Sequence, residues 1–266
     1  MPNTNLHSEH INADSEPMNQ VASRKRSSDD NNEEGTGRVA QRTDTIAALV
    51  SSMQTILLKD IHSSDFSIVS HALLSLMEVI KDDNDTVKRA ENQAMFVKLG
   101  GHALIVVAME KNRGFNILLN SCLLVLIQAT YNNDDVKRAV AIVKGIEAVV
   151  SAMRAFPFEK QIIFNGFLVL WSLSGTEDIC NQMIHTPGIA PFIVGRMKHF
   201  LGGDDGFDVN LLACKLLKNL CVFQRFRTTL INSHADVVLG EIYKSPSTSK
   251  EVKERLASLA ASMLWL

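Results

Sequence analysis

The sequence lacks the signatures of most enzymes and of membrane-spanning proteins. No GxGxxG, P-loop, GxSxG or HExxH motif occurs in its 266 residues. No apolar run reaches the roughly 18 residues that a membrane span needs, and no charged-then-apolar leader starts the chain. We therefore expect a soluble protein of the cytoplasm, or of the nucleus, that has no catalytic activity, no membrane contact and no small-molecule substrate.

Metal-binding and redox motifs are missing too. The four cysteines form no CxxC pair, and they stand at Cys122, Cys180, Cys214 and Cys221. The last two are seven residues apart, a spacing typical of short apolar side chains buried on one helix. The pattern predicts structural thiols in a reducing compartment. The histidines His62, His71, His102, His185, His199 and His234 are scattered, without a carboxylate or a cysteine at ligand or triad spacing. We therefore expect no metal, no cofactor and no catalytic residue.

Neither sign of charge predominates in the sequence. The net charge is −2 and the isoelectric point is near 6.4, which argues against the broad basic surface that nucleic acid requires. One local exception is the basic cluster Lys215, Lys218, Arg225 and Arg227. A nucleic-acid-associated role that uses residues 215–227 is therefore an alternative function, and acidic residues elsewhere offset this cluster.

Aromatic and clustered aliphatic side chains are almost absent from residues 1–42, which are rich in Asn, Ser, Asp and Glu. Such a segment buries too little apolar surface to offset its conformational entropy, so we expect a disordered N-terminal tail. Within it, Arg24, Lys25 and Arg26 precede two serines. This run is either a short nuclear-import signal beside phosphorylatable serines or a solvated charge cluster.

The sequence does have a repeated helical pattern. From Asn165 to Ser174, apolar residues follow Gly166 at intervals of three, four and seven, which is one face of an α-helix. The same pattern recurs at Ala72/Ser75/Leu76/Val79, Cys122/Val125/Leu126/Ala129, Ala213/Leu216/Leu217/Leu220 and Ala257/Ala260/Ala261/Leu264. The small residues that start the copies are 50, 44, 47 and 44 residues apart. A period of this length predicts stacked helical repeats rather than one globular core.

A second marker has the same period. Met109, Met153 and Met197 follow one another at steps of 44 residues, and each ends an apolar run. The runs follow glycines, at Gly100-Gly101, Gly145-Ile146 and Gly188-Ile189. Because glycine favours the left-handed conformation that ends helices, each glycine predicts the break between the first and second helices of a repeat.

These markers predict the helices. We expect the ordered domain to cover residues 43–266 and its first helix to have Asp44 as N-cap. A second helix over roughly Phe66–Ile80 would complete an atypical N-terminal repeat. Third helices are predicted at about Asn116–Thr130, Phe158–Ser174 and Asp208–Cys221, and a final repeat at about Gln224–Leu266. Whether Trp265 covers the end of this repeat or leaves an association surface stays open.

The glycine before an apolar second helix and an A-x-x-A-L-x-N-L-like third helix together resemble armadillo repeats. The best copy is Ala213-Cys214-Lys215-Leu216-Leu217-Lys218-Asn219-Leu220. This resemblance implies an all-α, right-handed solenoid of about four and a half repeats of about 44 residues. It also implies a concave groove, lined by third helices, that binds extended peptides or helices. Proteins of this type serve as adaptors, import receptors, chaperone regulators and scaffolds, and the repeats are not known for catalysis.

Import adaptors of this type repeat a Trp and, four residues later, an Asn along the groove. Here the Trp positions hold Leu74, Leu124, Leu168, Lys215 and Leu259, and the Asn positions hold Glu78, Gln128, Ser172, Asn219 and Met263. Only Asn219 matches, so the import-receptor interpretation is doubtful. A chaperone-regulating or nuclear-transport adaptor remains an alternative on the number of repeats and the tail.

The small residues face the core, so the residues two, five and six positions later should face the groove. The predicted partner-binding residues are Met77, Glu78, Leu124, Ile127, Gln128, Leu168, Trp171, Ser172, Lys215, Lys218 and Asn219, with Leu74 beside them. The apolar stripe with Trp171 near its centre would hold the apolar face of a partner helix, and the lysines would meet an acidic flank. Core packing is the alternative for Leu74, Leu124 and Trp171. We predict a monomeric, non-catalytic adaptor or scaffold that binds a protein through this groove.

Overall fold

The computed structural model describes residues 32–57, 65–81, 85–201 and 204–263. Within these residues it contains fourteen α-helices and no strand. The helices are α1 Asn32–Leu57, α2 Asp65–Ile80, α3 Thr86–Lys98, α4 Gly101–Lys111, α5 Asn116–Thr130, α6 Asp134–Ile142, α7 Gly145–Ala155, α8 Lys160–Leu173, α9 Glu177–Ile184, α10 Ile189–His199, α11 Asp204–Leu220, α12 Gln224–Asn232, α13 Ala235–Lys244 and α14 Lys250–Met263. The predicted all-α fold is confirmed.

After α1 and α2 the helices come in groups of three, each with a first, a second and a third helix. The third helices pack side by side in the order α2, α5, α8, α11 and α14. Second helices pack in two pairs, α4 against α7 and α10 against α13. One continuous hydrophobic core runs between these rows, as expected when each repeat buries its apolar face against its neighbours. The repeats are therefore stacked along one axis, and the predicted helical repeat is confirmed.

The two periodic markers meet in the core. A Cβ atom on Gly166 would lie 2.5 Å from both Cγ and Sδ of Met153, so the small residue of α8 makes room for the methionine of α7. Met109, Met153 and Met197 are buried, and so are the patterned residues of α5, α8 and α11. Methionine suits this place because its unbranched side chain fills irregular gaps. In the central repeat the two markers therefore meet in one contact, between the second helix α7 and the third helix α8.

The pattern has the wrong register in the outer copies. In α14, Ala257, Ala260 and Ala261 are exposed, whereas Val252, Leu256 and Leu259 are buried. In α2, Ser75 is exposed and Ala72 is half-buried, and the core contains Val69, Leu73, Leu76 and Ile80 instead. An outer helix has a neighbouring third helix on one flank only, which explains why positions that are buried in the central copies are open in these two.

The predicted left-handed glycines are confirmed at two breaks and wrong at the third. Gly100 has φ of 75° and Gly188 has φ of 66°. In the repeat between them Lys144 has the left-handed conformation, with φ of 64°, and Gly145 is the first residue of α7. A Cβ atom on Gly145 would lie 2.7 Å from the carbonyl oxygen of Val140. Gly145 therefore allows a close backbone approach and does not supply the turn.

The N-terminal boundary also differs from the prediction. Helix α1 begins at Asn32 and continues through Asp44, so Asp44 lies inside a helix and is not its N-cap. The good helix formers around Gln41 extend the helix toward the N-terminus. The rest of the predicted tail, including Arg24, Lys25 and Arg26, lies outside the described residues, as do the side chains of Met263 and Trp265.

Polar turns between repeats cap two of the first helices, α3 and α6. The carboxylate of Asp85 accepts hydrogen bonds from the backbone N–H groups of Val87 and Lys88, both at 3.0 Å. The bond from Lys88, supported by its side chain, lowers the pKa of Asp85. Asn133 accepts from the backbone N–H of Val136 at 3.2 Å in the same way. These caps satisfy backbone donors that the first turn of a helix leaves free.

In the described part of the chain, no helix taken singly combines the length and the apolar character needed to cross a membrane. Helices α3 and α4 reach that combination only as a pair, with a bend of 63° between them. Phe96 of α3 and Ile105 of α4 are fully buried in the core.

The four cysteines are free and buried. Burial raises the pKa of each thiol to about 12. Because the thiolate is the reactive form, we expect the native protein to react slowly with a thiol-specific disulfide reagent at pH 8. The urea-unfolded chain should release four equivalents at once. Rapid labelling of any native thiol would contradict the predicted burial.

The contact between Gly166 and Met153 makes a second prediction. We expect Gly166→Ala to destabilise the protein by about 1–2 kcal/mol, because Met153 must leave its place and the gain in helix propensity offsets only part of that cost. Gly195→Ala is the matched control, since a Cβ atom there meets nothing within 4 Å. That change should stabilise α10 by about 0.5–1 kcal/mol. Urea unfolding of both variants measures the difference, and equal effects would contradict the packing.

Candidate partner-binding site

Two central third helices carry almost no charge. Helix α5 has no Asp, Glu, Lys or Arg, and α8 has only Lys160 at its first position. Each buries most of its residues and leaves one strip partly exposed. We call this strip, together with the matching residues of α2 and α11, the third-helix face. Its apolar, uncharged character follows from helices that lie between two neighbours, where an unpaired charge would be costly.

The structure places all the predicted partner-binding residues on this face. Glu78 and Lys218 are exposed, and the other predicted residues are half-buried, namely Met77, Leu124, Ile127, Gln128, Leu168, Trp171, Ser172, Lys215 and Asn219. Leu74 is 38% exposed, so it is not a residue of the buried core. The four third helices thus present the predicted residues side by side, with solvent access to each.

Sequence reasoning missed one row of the same face. Asn120, Phe164 and Leu211 are half-buried and stand two residues before the small residue of their helices. Ile117, one turn earlier on α5, is 71% exposed. The signal that would have found this row is helical periodicity, because these residues are four positions before Leu124, Leu168 and Lys215. The apolar face is therefore longer, along the helix axes, than predicted.

Trp171 lies in the middle of the face and contacts the next repeat. It is half-buried and packs against the hydrophobic core. The Nζ atom of Lys215 lies 4.8 Å from the centroid of its ring. A cation–π contact of this kind contributes about 0.5–1 kcal/mol at an exposed site. It connects α8 to α11 and holds a positive charge against the edge of the apolar strip.

The two lysines of α11 have no acidic partner nearby. Within the described part of the chain, no carboxylate lies at ion-pair distance from Lys215 or Lys218. The acidic residue of the face, Glu78, is three helices away, which is roughly 25–30 Å at the usual spacing of packed helices. That distance exceeds the Debye length of about 8 Å at physiological ionic strength. Glu78 therefore does not neutralise the two lysines of α11.

Two predicted polar residues instead bind the neighbouring repeat. The hydroxyl of Ser172 donates to Thr130 of α5, at 3.1 Å from Oγ1 and 3.2 Å from the carbonyl oxygen. The amide of Asn219 donates to Oγ of Ser174 at 2.8 Å. These bonds connect successive third helices, so Ser172 and Asn219 fix the spacing of the face and are engaged before a partner arrives. Asn219 is the residue that matched the import-adaptor pattern.

The basic cluster predicted at residues 215–227 is divided. The guanidinium of Arg227 donates to the carbonyl oxygens of Cys221 and Val222, at 2.6 and 3.0 Å, at the end of α11. Nη1 of Arg225 lies 2.7 Å from Nε2 of His185, which accepts in the tautomer whose Nδ1 donates to the carbonyl of Asn181. Arg227 thus satisfies a helix C-terminus, and Arg225 contacts a first helix. The four residues do not form one basic patch.

An open recess of about 760 Å³ lies away from this face, at the N-termini of α6 and α9. Its lining includes Asp134, Arg138, Glu177 and Asp178, and Nε of Arg138 donates to Asp178 at 3.3 Å. No group of three or more metal-binding side chains occurs among the described residues, here or elsewhere. The recess is an exposed, internally paired surface, and the third-helix face remains the candidate site.

No protein-family model and no curated protein matches the sequence. Solved structures do share its architecture. A computationally designed armadillo repeat protein for modular peptide recognition has a TM-score of 0.64 at 11% identity, over 86% of this chain and 93% of that one. A designed armadillo repeat protein in complex with the peptide (KR)4 has a TM-score of 0.61 at 10% identity, over 88% and 95%.

A third structure, an engineered protein, has a TM-score of 0.60 at 14% identity, over 89% of this chain and 93% of that one. Identities this low establish the fold alone. They confirm the resemblance that was read from the glycine breaks and the third-helix pattern. The chain has an armadillo-like α-helical repeat fold.

Proposed function

We propose that this protein is a non-catalytic interaction scaffold whose third-helix face binds a peptide or an amphipathic helix of another protein. The observation that carries the proposal is the strip across α5 and α8, which is apolar and uncharged, is open to solvent, and has Trp171 at its centre. An open apolar strip of this kind on a folded protein is a typical mark of an interaction site.

The strip suits a partner that supplies apolar side chains in a row. A helix would do so with residues spaced three and four apart, and an extended segment would do so with alternate residues. Trp171 offers a large ring with its back against the core, so little conformational entropy is lost when a partner covers it. Tryptophans in such positions commonly dominate interface energies.

The comparisons support peptide binding as the general role. Two solved neighbours are a designed armadillo protein for modular peptide recognition and a designed armadillo protein in complex with a peptide. Neither is described as an enzyme. The divided basic cluster gives no support to the nucleic-acid alternative, and no particular contact favours a chaperone-regulating or nuclear-transport adaptor. Four free, buried thiols are in keeping with a reducing compartment.

Phage display of random peptides on the purified chain tests this proposal. We expect enrichment of peptides rich in Leu, Ile, Phe or Trp. In Trp171→Ala the affinity for an enriched peptide, measured by fluorescence polarisation, should fall at least about tenfold, because the central anchor is lost. The unfolding midpoint should remain well above the assay temperature, since the indole is half-exposed and not part of the closed core.

Phe158→Ala is the matched control. Phe158 is 66% exposed, and its ring lies 4.8 Å from that of His199 of α10, away from the third-helix face. We expect its affinity for the same peptide to stay within about twofold of wild type, as for most surface positions outside an interface. Failure to enrich any peptide, or equal losses in the two variants, would overturn the proposal.

A further inference from the structure

We propose that the third-helix face selects partner segments in which an apolar stretch is joined to a run of carboxylates, and that Lys215 recognises the junction. This inference rests on the proposed function, because it names the partner chemistry of the same face. The charges of the face favour one kind of occupant, a peptide or helix that has an apolar part and an acidic part.

The charge distribution carries the first step. Across α5 and α8, from Gln161 onward, the face offers no charged side chain, so it distinguishes apolar from polar partners but not acidic from basic ones. Helix α11 then adds two ammonium groups, at Lys215 and Lys218, that no described carboxylate neutralises. Glu78 lies at the opposite end of the face, on α2, so next to Trp171 the sign of the partner's charge is read by the α11 lysines.

The position of Lys215 carries the second step. Its Nζ atom lies 4.8 Å from the ring centroid of Trp171, so one place on the face combines an aromatic surface with a cation. A carboxylate that follows an apolar side chain on the indole meets this ammonium directly. Lys218, three residues later and exposed, lies one helical turn further on and would contact the next carboxylate.

The same geometry disfavours other partners. A neutral segment that covers Trp171 would remove water from the Lys215 ammonium without replacing it, which costs binding energy. A basic segment would add repulsion between like charges. Elsewhere in the described chain several cations are already paired with carboxylates, as in Arg138–Asp178, Lys198–Glu241 and Arg255–Glu251. The α11 lysines are the cations placed to recognise an acidic flank.

Six synthetic fluorescein-labelled peptides test this inference. They share one apolar segment enriched by phage display and differ only in a flank of Glu, Gln or Lys, placed at the N-terminal or at the C-terminal end. We expect the Glu-flanked peptide, in its better orientation, to bind roughly tenfold more tightly than the Gln-flanked one at low salt. The Lys-flanked peptide should bind most weakly, and added salt should shrink these differences.

Lys215→Met with Lys218→Met tests the residues themselves. Methionine retains an unbranched stem over Trp171 and removes the charge, so the Gln-flanked peptide should bind at least as tightly as to wild type while the preference for Glu disappears. The double variant Lys98→Met/Lys244→Met makes the same change in net charge at exposed lysines of α3 and α13 and should keep the preference.

The outcomes separate the two proposals. If the apolar peptides bind but the order is Lys over Glu, or the flank makes no difference, the acidic-partner inference is wrong and the proposed function stands. If the control double variant loses the preference equally, the selection comes from net charge and the role of Lys215 is wrong. If no flanked peptide binds, both proposals are wrong.

Discussion

The side-by-side packing of third helices is the constraint on which the rest of this structure depends. A helix held between two others, with a second helix beneath it, has one open strip and three flanks that must close. Gly166 closes the flank that faces the second helix, because it lets Met153 of α7 pack directly beneath α8. Polar bonds from Asn165 to Asn120, at 2.8 Å, and from Ser172 to Thr130 then hold α8 in register with α5. Architecture and candidate site are thus consequences of one packing arrangement.

That constraint also explains why the open strip is apolar. A central third helix has little room for charge, because most of its surface is shared with neighbours and an unpaired buried ion is costly. Charge appears on the helices to either side of α5 and α8, at Lys218 of α11 and Glu78 of α2, both exposed. For the proposed partner, apolar contact with α5 and α8 would supply affinity and the flanking charges would supply selectivity.

Much of this could be predicted from the sequence. The period of small residues and methionines predicts α5 with its observed bounds, Asn116–Thr130, and predicts the strip that stays open on α2, α5, α8 and α11. The successes share one cause: in central repeats every patterned residue has a neighbour on both flanks, so burial follows the pattern. The armadillo-like fold follows from the same regularity.

The errors also have physical causes. In α14, Ala257 and Ala260 lie on an open flank, which no pattern within the helix reveals. At the second break, Lys144 has the left-handed conformation, whereas Gly145 allows the close approach of the Val140 carbonyl. The sequence shows that a glycine is present, but not whether it provides the left-handed turn or the close approach. One contact that divides the basic cluster, Arg225 with His185, joins residues 40 positions apart. Such contacts depend on how repeats stack and are invisible to local spacing.

The most direct test of the account is to locate a bound peptide by NMR. Methyl groups of Leu124, Ile127 and Leu168 and the indole N–H of Trp171 serve as probes of the third-helix face. The account predicts that a saturating peptide shifts these signals and leaves the methyl groups of the exposed Ile142 on α6 and Val237 on α13 unchanged. Shifts confined to the outer helices, or to the recess at Asp134 and Asp178, would contradict the claim that third-helix packing creates the binding site.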